Sequence, residues 1–106
     1  MSVTLADVTR YRIVPVVVVN DVANAAGLGA ALVAGGLPVA EVTFRTAAAA
    51  DTIKILAERG DITVGAGTVR SVAQVDQAVD AGATFIVSPG LRADIVLRAQ
   101  EAGVPV

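Results

Sequence analysis

The strongest constraint on the fold of this chain is an alternation of short β-branched runs with alanine-rich segments that end at glycine. The β-branched runs begin near Ile13, Val39, Thr63, Phe85 and Val104. The alanine-rich segments stop at Gly35-Gly36, Gly60, Gly82 and Gly103. Because strand, helix, glycine and strand repeated in this order make right-handed βαβ units, the pattern predicts an α/β fold with parallel strands.

Helix starts are predicted from capping chemistry. Asp21 can cap the helix that follows it, and Ser71 with Gln74 predicts a capping box, in which two backbone donors are satisfied reciprocally. Asp51 and Asp94 lie in or near the first turns of two further helices. The predicted helices cover residues 22–34, 51–59, 72–81 and 94–102, behind a leading helix within residues 1–12.

Two architectures accommodate this repeat: a doubly wound open sheet and a (β/α)₈ barrel. The first strand-to-helix loop, Asn20-Asp21, lacks the glycine fingerprint of a dinucleotide-binding sheet, and Gly65-Ala66-Gly67 is only G-x-G. A complete barrel takes roughly 250 residues, so the four units of this 106-residue chain amount to about half of one. We therefore predict that residues 1–106 form an amino-terminal half-barrel whose fifth strand, starting at Val104, is truncated.

Composition and charge exclude several classes of function. The chain has neither cysteine nor histidine, which removes disulfides, thiol nucleophiles and the commonest transition-metal ligands, so we expect no metal and no cofactor. A net charge of −2 without a basic stripe argues against nucleic acid. Residues 22–40 are uncharged, but glycines and Pro38 interrupt them, so a soluble, cytoplasmic protein without a membrane span is expected.

The candidate site lies at the ends of three predicted strands. Strand alternation places Glu41, Thr43 and Arg45 on one face, near the carboxyl end of the second strand, where barrel enzymes place their active sites. A structural ion pair between Glu41 and Arg45, or an Arg45 in a solvated loop, is the alternative. Thr68 follows the glycines of the third strand and can donate a hydrogen bond there, and Pro89 breaks the fourth strand and can line a pocket rim. From the residues alone, a simple strand exit at Thr68 and a simple turn at Ser88-Pro89 are favoured.

Lys54 is the only lysine of the chain. It lies in the middle of a predicted helix, four residues before Glu58, a spacing typical of a surface ion pair. A Schiff-base lysine must be desolvated so that its amine can attack a carbonyl. We therefore predict that Lys54 is a solvated helix residue and that the chain contains no Schiff-base lysine.

Five segments together resemble the 2-keto-3-deoxy-6-phosphogluconate (KDPG) and 4-hydroxy-2-oxoglutarate (KHG) aldolases. They are IVPVV at 13–17, AGG at 34–36, EVTFRT at 41–46, VGAGTV at 64–69 and IVSPGL at 86–91. They follow the order and spacing of the family over nearly the whole chain, which corresponds to about the first half of a family member.

The resemblance implies a class I aldolase of the Entner–Doudoroff pathway, a lyase that cleaves KDPG reversibly into pyruvate and glyceraldehyde 3-phosphate without metal. It implies that Glu41 is the general acid/base, that Arg45 and Thr68 bind the pyruvate carboxylate, and that Pro89 lines the pocket. The family's Schiff-base lysine lies on the sixth strand and its phosphate site after the seventh and eighth, so the resemblance implies that this chain alone is inactive. A homotrimer is likewise an expectation from kinship only.

Three hypotheses follow for the function. The first is an aldolase of which this sequence is a fragment, and the second is a non-catalytic half-barrel that assembles with itself or with a complementary half. The second hypothesis arises because an unclosed parallel sheet leaves strand edges and an apolar interior uncovered. The third, another phosphate-binding barrel, is disfavoured because the aldolase motifs match jointly.

Overall fold

The computed structural model describes residues 2–106. Three strands alternate with helices in a single layered arrangement. The helices are α1 (Leu5–Thr9), α2 (Ala25–Ala34), α3 (Ala49–Arg59), α4 (Val72–Ala81) and α5 (Ala93–Glu101), and a 3₁₀ turn, Val22–Asn24, precedes α2. The strands are β1 (Val16–Val17), β2 (Val39–Thr43) and β3 (Thr63–Gly67). None of the helices within residues 2–106 is long and apolar enough to cross a membrane.

The sheet is parallel, in the order β1-β2-β3, as the βαβ repeat predicts. Glu41 on β2 is aligned with Val16 on β1 and with Gly65 on β3. The predicted fourth strand runs beside β3, where Ala66 pairs with Ile86 in a single parallel bridge. The segment after α5 continues the series, because the Ile86 N–H donates to the Pro105 carbonyl at 2.9 Å. Neighbouring strands in the sheet therefore follow one another in sequence order.

Two predicted strands are shorter than expected. The first begins at Val16 rather than at Ile13. Pro15 has no N–H, so it accepts a hydrogen bond from Glu41 but donates none to the ladder. The fourth keeps hydrogen bonds from Thr84 to residue 64 and from Val87 to residue 66, yet regular pairing is limited to the one bridge.

The helix ends follow the predicted capping chemistry with two differences. Asp21 caps the 3₁₀ turn, accepting from the Ala23 N–H, and α2 starts only after that turn. Ser71 accepts from the Gln74 N–H at 3.2 Å, as predicted. The Gln74 side chain, however, accepts from the Arg70 N–H at 2.7 Å, so the predicted return bond to Ser71 is wrong by one residue. Left-handed glycines close α3 and α4, as the helix-stop pattern predicts.

Two cores lie on opposite sides of the sheet. The main core fills the space between the sheet and helices α3 to α5; its large members are Val42, Ile53, Leu56, Val64, Val69, Val75, Ile86 and Ile95. The smaller core joins Val8 of α1 to Val39 and Phe85. Because this second core is built on the side of the sheet opposite the main core, we call that side the inner face. Helix α1 covers the inner face at the amino ends of the strands.

Candidate active site

Alternate side chains of β2 face opposite sides of the sheet. Val42 belongs to the main core, and Phe44, which follows the strand, packs against the same core. Val39 belongs to the smaller core, so Glu41 and Thr43 share the inner face with it. The predicted alternation is confirmed from Val39 to Thr43. Because β2 ends at Thr43, Arg45 lies in the turn that follows, and the prediction that strand alternation orients its side chain is wrong.

Glu41 is a buried carboxyl, 9% exposed, on the inner face. Neither of its carboxyl oxygens accepts a hydrogen bond from another group within residues 2–106. Burial raises the pKa of Glu41, and the positive charge of nearby Arg45 partly opposes that rise. The group therefore holds its proton more tightly than a solvated glutamate does, which suits a residue that gives and takes protons.

Arg45 and Thr68 meet where β2 and β3 end. The Arg45 Nε donates to the Thr68 hydroxyl at 3.2 Å. Within the described residues no other hydrogen bond occupies the Arg45 guanidinium, so its two terminal nitrogens are available to a ligand, and their fork matches the two oxygens of a carboxylate. Thr68 holds its hydroxyl there with a left-handed backbone, φ 55°.

Two threonine hydroxyls fix the carboxyl end of β1 against β2, a role that the sequence analysis missed. Thr43 donates to the Val17 carbonyl at 3.2 Å, and Thr46 donates to the Val19 carbonyl at 2.6 Å. Both acceptors are residues about 26 positions earlier in the chain, so only the strand register brings the groups together. The two bonds hold the β1 exit beside the end of the strand that carries Glu41.

The inner face of β3 carries two glycines between larger neighbours. A β-carbon on Gly65 would lie 2.4 Å from the Phe85 ring, and Gly67 is in contact with the Glu41 side chain. The groups that approach these glycines could not be predicted from the sequence. Those groups are side chains of the two adjacent strands.

Pro89 follows the fourth predicted strand, at the same edge of the sheet as Arg45 and Thr68. It is exposed, and no hydrogen bond or core contact joins it to the other three candidates within residues 2–106. Ser88 donates to the Gly90 carbonyl at 2.6 Å, which is the behaviour of a turn residue. The structure thus brings Glu41, Arg45 and Thr68 together and places Pro89 at the same edge of the sheet, without a hydrogen bond to any of them within residues 2–106.

Lys54 lies on α3 and is exposed. Its neighbours Ile53 and Leu56 are fully buried against the sheet, on the side opposite the inner face. The prediction of a solvated helix lysine is confirmed, although no ion pair with Glu58 forms within residues 2–106. The described chain also contains no cluster of three or more acidic residues that could hold a metal ion.

A groove of about 400 Å³ lies beside the carboxyl end of β1 and the start of α2. It is lined by Val17, Val18, Val19, Asn20, Asp21, Asn24 and Leu28 and contains none of the predicted site residues. Its one ionisable side chain, Asp21, already caps the Ala23 N–H. We place the candidate site on the inner face instead, where a buried acid, a guanidinium and a hydroxyl converge.

Comparison with known proteins identifies one consistent set of relatives. A protein-family profile described as KDPG and KHG aldolase matches residues 5–106. Over 83 residues the chain is 52% identical to the 2-dehydro-3-deoxy-phosphogluconate aldolase of Zymomonas mobilis, a match covering 78% of this chain and 40% of that protein.

Solved structures give the same result. The backbone matches the 2-keto-3-deoxy-6-phosphogluconate aldolase of Zymomonas mobilis ZM4, solved with 3-phosphoglycerate, with a TM-score of 0.83, 44% identity, and coverage of 96% of this chain and 52% of that one. It matches the KDPG aldolase of Legionella pneumophila, solved with pyruvate captured as a covalent carbinolamine, with a TM-score of 0.81, 38% identity, and coverage of 87% and 45%. The α/β half-barrel prediction is therefore confirmed, and the chain spans about half the length of these relatives.

Proposed function

Because the chain belongs to the KDPG and KHG aldolase family, we propose that its inner face forms the pyruvate-binding part of a class I aldolase active site. The observation that carries this proposal is the Arg45–Thr68 hydrogen bond beside the buried Glu41, at the carboxyl edge of a parallel sheet. This edge is where barrel enzymes assemble their sites. The proposed reaction is the reversible cleavage of KDPG into pyruvate and glyceraldehyde 3-phosphate.

Arg45 and Thr68 are proposed to hold the carboxylate of the keto acid. The terminal nitrogens of Arg45 offer two parallel donors, and the Nε bond to Thr68 fixes the plane of the guanidinium. The Legionella relative was captured with covalently bound pyruvate, which supports a keto acid as the ligand class. Pro89 is proposed to line the rim of the same pocket from the adjacent strand.

Glu41 is proposed to be the general acid/base. An aldolase of this class adds an amine to the keto carbon, loses water to form an iminium, and cleaves the carbon–carbon bond as the iminium accepts the electron pair. These steps need a group that can both give and take a proton, directly or through a water. The raised pKa of Glu41, caused by burial, suits that task.

The amine is the component that residues 2–106 do not supply. Lys54 is exposed on α3, behind the main core and away from the inner face. A Schiff-base lysine must lie in a desolvated position within reach of the keto carbon. We therefore propose that the 106-residue polypeptide has no aldolase activity by itself, and that a lysine on a complementary half is needed.

The first experiment mixes the purified polypeptide with KDPG and follows the release of pyruvate, with borohydride added in a parallel sample. We expect no turnover above background and no trapped adduct. Turnover, or a borohydride-trapped adduct at Lys54, would contradict the proposal that an external amine is required.

The second experiment joins this chain to the part of the Zymomonas mobilis aldolase that lies beyond the matched region. We expect the chimera to release pyruvate from KDPG. Glu41→Gln should lower kcat by about 10²–10⁴-fold, the usual contribution of a positioned acid or base. Arg45→Ala should mainly raise KM, and Glu58→Gln on the exposed face of α3 is the matched control. If Glu41→Gln leaves the kcat of an active chimera unchanged, the acid/base role proposed for Glu41 is wrong.

A second candidate function is a half-barrel that assembles with a copy of itself or with a complementary half. Three exposed valines support it: Val16 in β1, Val18 just after β1, and Val87 just after the bridge at Ile86 are 57%, 46% and 37% exposed. Strand β1 pairs only with β2, so its other edge is unpaired within the described chain. Sedimentation across a range of concentrations tests this candidate; a monomer at all concentrations would exclude self-assembly.

A further inference from the structure

The Glu41 side chain lies directly against Gly67 of the neighbouring strand. Glu41 is aligned with Gly65, and Gly67 is the next residue of β3 on the same face. A β-carbon built on Gly67 would lie 2.0 Å from Oε2 of Glu41, 2.6 Å from its Cδ and 2.7 Å from its Cγ. Carbon atoms in van der Waals contact are about 3.5–4.0 Å apart. Any side chain at residue 67 would therefore occupy the space that the carboxyl group fills.

The backbone does not require glycine at this position. The glycines with positive φ are Gly36, Gly60, Gly82 and Gly103, whereas Gly67 is the last residue of an extended strand. An L-residue can adopt extended backbone without strain. The three nearest atoms to the built β-carbon also all belong to Glu41. The closest overlap of a side chain at residue 67 would thus be with Glu41, from Cγ to the carboxyl group.

We propose that Gly67 is a positioning residue, which fixes the Glu41 carboxyl group against β3 by leaving its side-chain space empty. The inference rests on the proposed acid/base role of Glu41, because only that role makes the location of this carboxyl matter for function. Gly67 itself contacts no reacting atom in this proposal. It acts through Glu41.

The carboxyl is the far end of a flexible side chain, so Gly67→Ala should displace it rather than unfold the sheet. The displaced group moves away from β3 toward Val16 of β1, which is aligned with Glu41 and is 57% exposed, since the other face of β2 is filled by the main core. There it is more hydrated, and its pKa should fall toward that of a solvated glutamate. A glycine needed only for close packing would lower stability on substitution and leave the titration of Glu41 unchanged.

The test is a ¹³C NMR titration of the side-chain carboxyls in the wild-type chain and in Gly67→Ala. The chain has three glutamates, so Glu41→Gln assigns the Glu41 signal, and Glu58 and Glu101 are internal references. We expect the Glu41 midpoint to move to lower pH in Gly67→Ala, with the circular dichroism spectrum retained. Gly27→Ala, which has no neighbour within 4 Å of its built β-carbon, is the matched control and should leave the midpoint in place. An unchanged midpoint in Gly67→Ala would overturn the proposal.

Loss of folding in Gly67→Ala would still give a decisive result. Combining it with Glu41→Ala removes the atoms that the new β-carbon meets, so the double variant should fold as well as Glu41→Ala alone. If the double variant also fails to fold, the requirement for glycine lies elsewhere and the proposal is wrong.

The outcome can be separated from that of the proposed function. The titration needs no aldolase chemistry, so a midpoint that responds to Gly67→Ala supports the positioning role even if the chimera is inactive. In an active chimera, Gly67→Ala should lower kcat by about tenfold or more and shift its pH profile, leaving KM nearly unchanged. If Gly67→Ala changes neither the kcat nor the pH profile of an active chimera, the positioning role is wrong, and the aldolase assignment is unaffected.

Discussion

Thr68 has a left-handed backbone, with a φ of 55°, at the point where β3 leaves the sheet. For residues with a β-carbon this conformation costs about 1–2 kcal/mol, because the β-carbon crowds the following carbonyl. Thr68→Gly removes that crowding, whereas Thr68→Ala keeps it. Both variants lose the hydroxyl that accepts from Arg45, so the difference between them contains only the backbone strain and the ordinary cost of glycine relative to alanine.

The expected difference has the opposite sign to the usual one. Glycine ordinarily costs about 0.5–1 kcal/mol relative to alanine, because it gains more freedom on unfolding. At residue 68 the relief of about 1–2 kcal/mol exceeds that loss. From the midpoints of the two ranges, we therefore expect Thr68→Gly to be more stable than Thr68→Ala by about 0.75 kcal/mol.

The assay is urea unfolding followed by far-ultraviolet circular dichroism, because the chain has no tryptophan to report on folding by fluorescence. With a slope of about 1–3 kcal/mol per molar urea, the difference should separate the two midpoints by a few tenths of a molar. Arg12, also left-handed with a φ of 66° but outside the site, should show the same order of glycine over alanine. Gly27 within α2 should show the reverse order.

An alanine variant that is as stable as the glycine variant at residue 68, with Arg12 behaving as expected, would refute the argument from backbone strain. If the strain is present, the structure retains it at a residue proposed to bind substrate. Strained backbone is tolerated where the surrounding structure enforces it, and such residues cluster at functional sites. Thr68→Gly should then gain stability over Thr68→Ala without recovering KM in the chimera.

Three further predictions test the buried acid, the inner packing and a helix cap. Because the pKa of Glu41 is raised in the folded chain, the folded state binds the Glu41 proton more tightly than the unfolded chain does. The stability of wild type relative to Glu41→Gln should therefore be greatest below the unfolded-chain pKa, near 4.5, and should fall as pH rises through the folded pKa. The fall should be about 1.4 kcal/mol for each unit by which folding raises the pKa. Urea unfolding between pH 4 and pH 8 measures this difference, and a flat one would contradict it. Gly65→Ala should cost about 1–3 kcal/mol, because its β-carbon would lie 2.4 Å from the Phe85 ring, and Phe85→Leu should recover part of that loss in thermal melts. Ser71→Ala should cost about 1 kcal/mol by removing the hydroxyl that accepts from Gln74, and an equal melting temperature would show that the cap contributes nothing.

The repeat of strands and helices could be predicted because each boundary carries local chemistry. Left-handed glycines close α3 and α4 where expected, and Ser71 and Asp21 cap at the predicted residues. Strand lengths could not be predicted as well, since regular pairing depends on the neighbour. The loss of a donor at Pro15 shortens β1, a consequence that appears only once the register with β2 is known.

The candidate site was predictable in its residue types but not in its contacts. Period-two alternation is enough to place Glu41 on the inner face, and it does so correctly. The contact between the Glu41 carboxyl group and Gly67 depends on the register of β2 against β3, which no local sequence pattern predicts. The hydrogen bonds from Thr43 and Thr46 to carbonyls of the β1 segment could not be predicted either, because they join residues far apart in the chain.

Substitutions on the two faces of β1 compare the contribution to stability of the main-core side with that of the inner face, where the active site is proposed. Val17 packs against the main core, whereas Val16, the adjacent residue, is 57% exposed on the inner face. Val→Thr replaces a methyl by a hydroxyl of similar size, and burying an unpaired hydroxyl costs about 1–3 kcal/mol. We therefore expect Val17→Thr to destabilise the chain by about 1–2 kcal/mol and Val16→Thr to change stability by less than about 0.5 kcal/mol. Urea midpoints at low and high protein concentration make the comparison. If Val16→Thr lowers stability as much as Val17→Thr, and lowers it more at high protein concentration, a second copy covers the inner face in solution. If the two variants lower stability equally at every concentration, the conclusion that Val16 is exposed on the inner face is wrong.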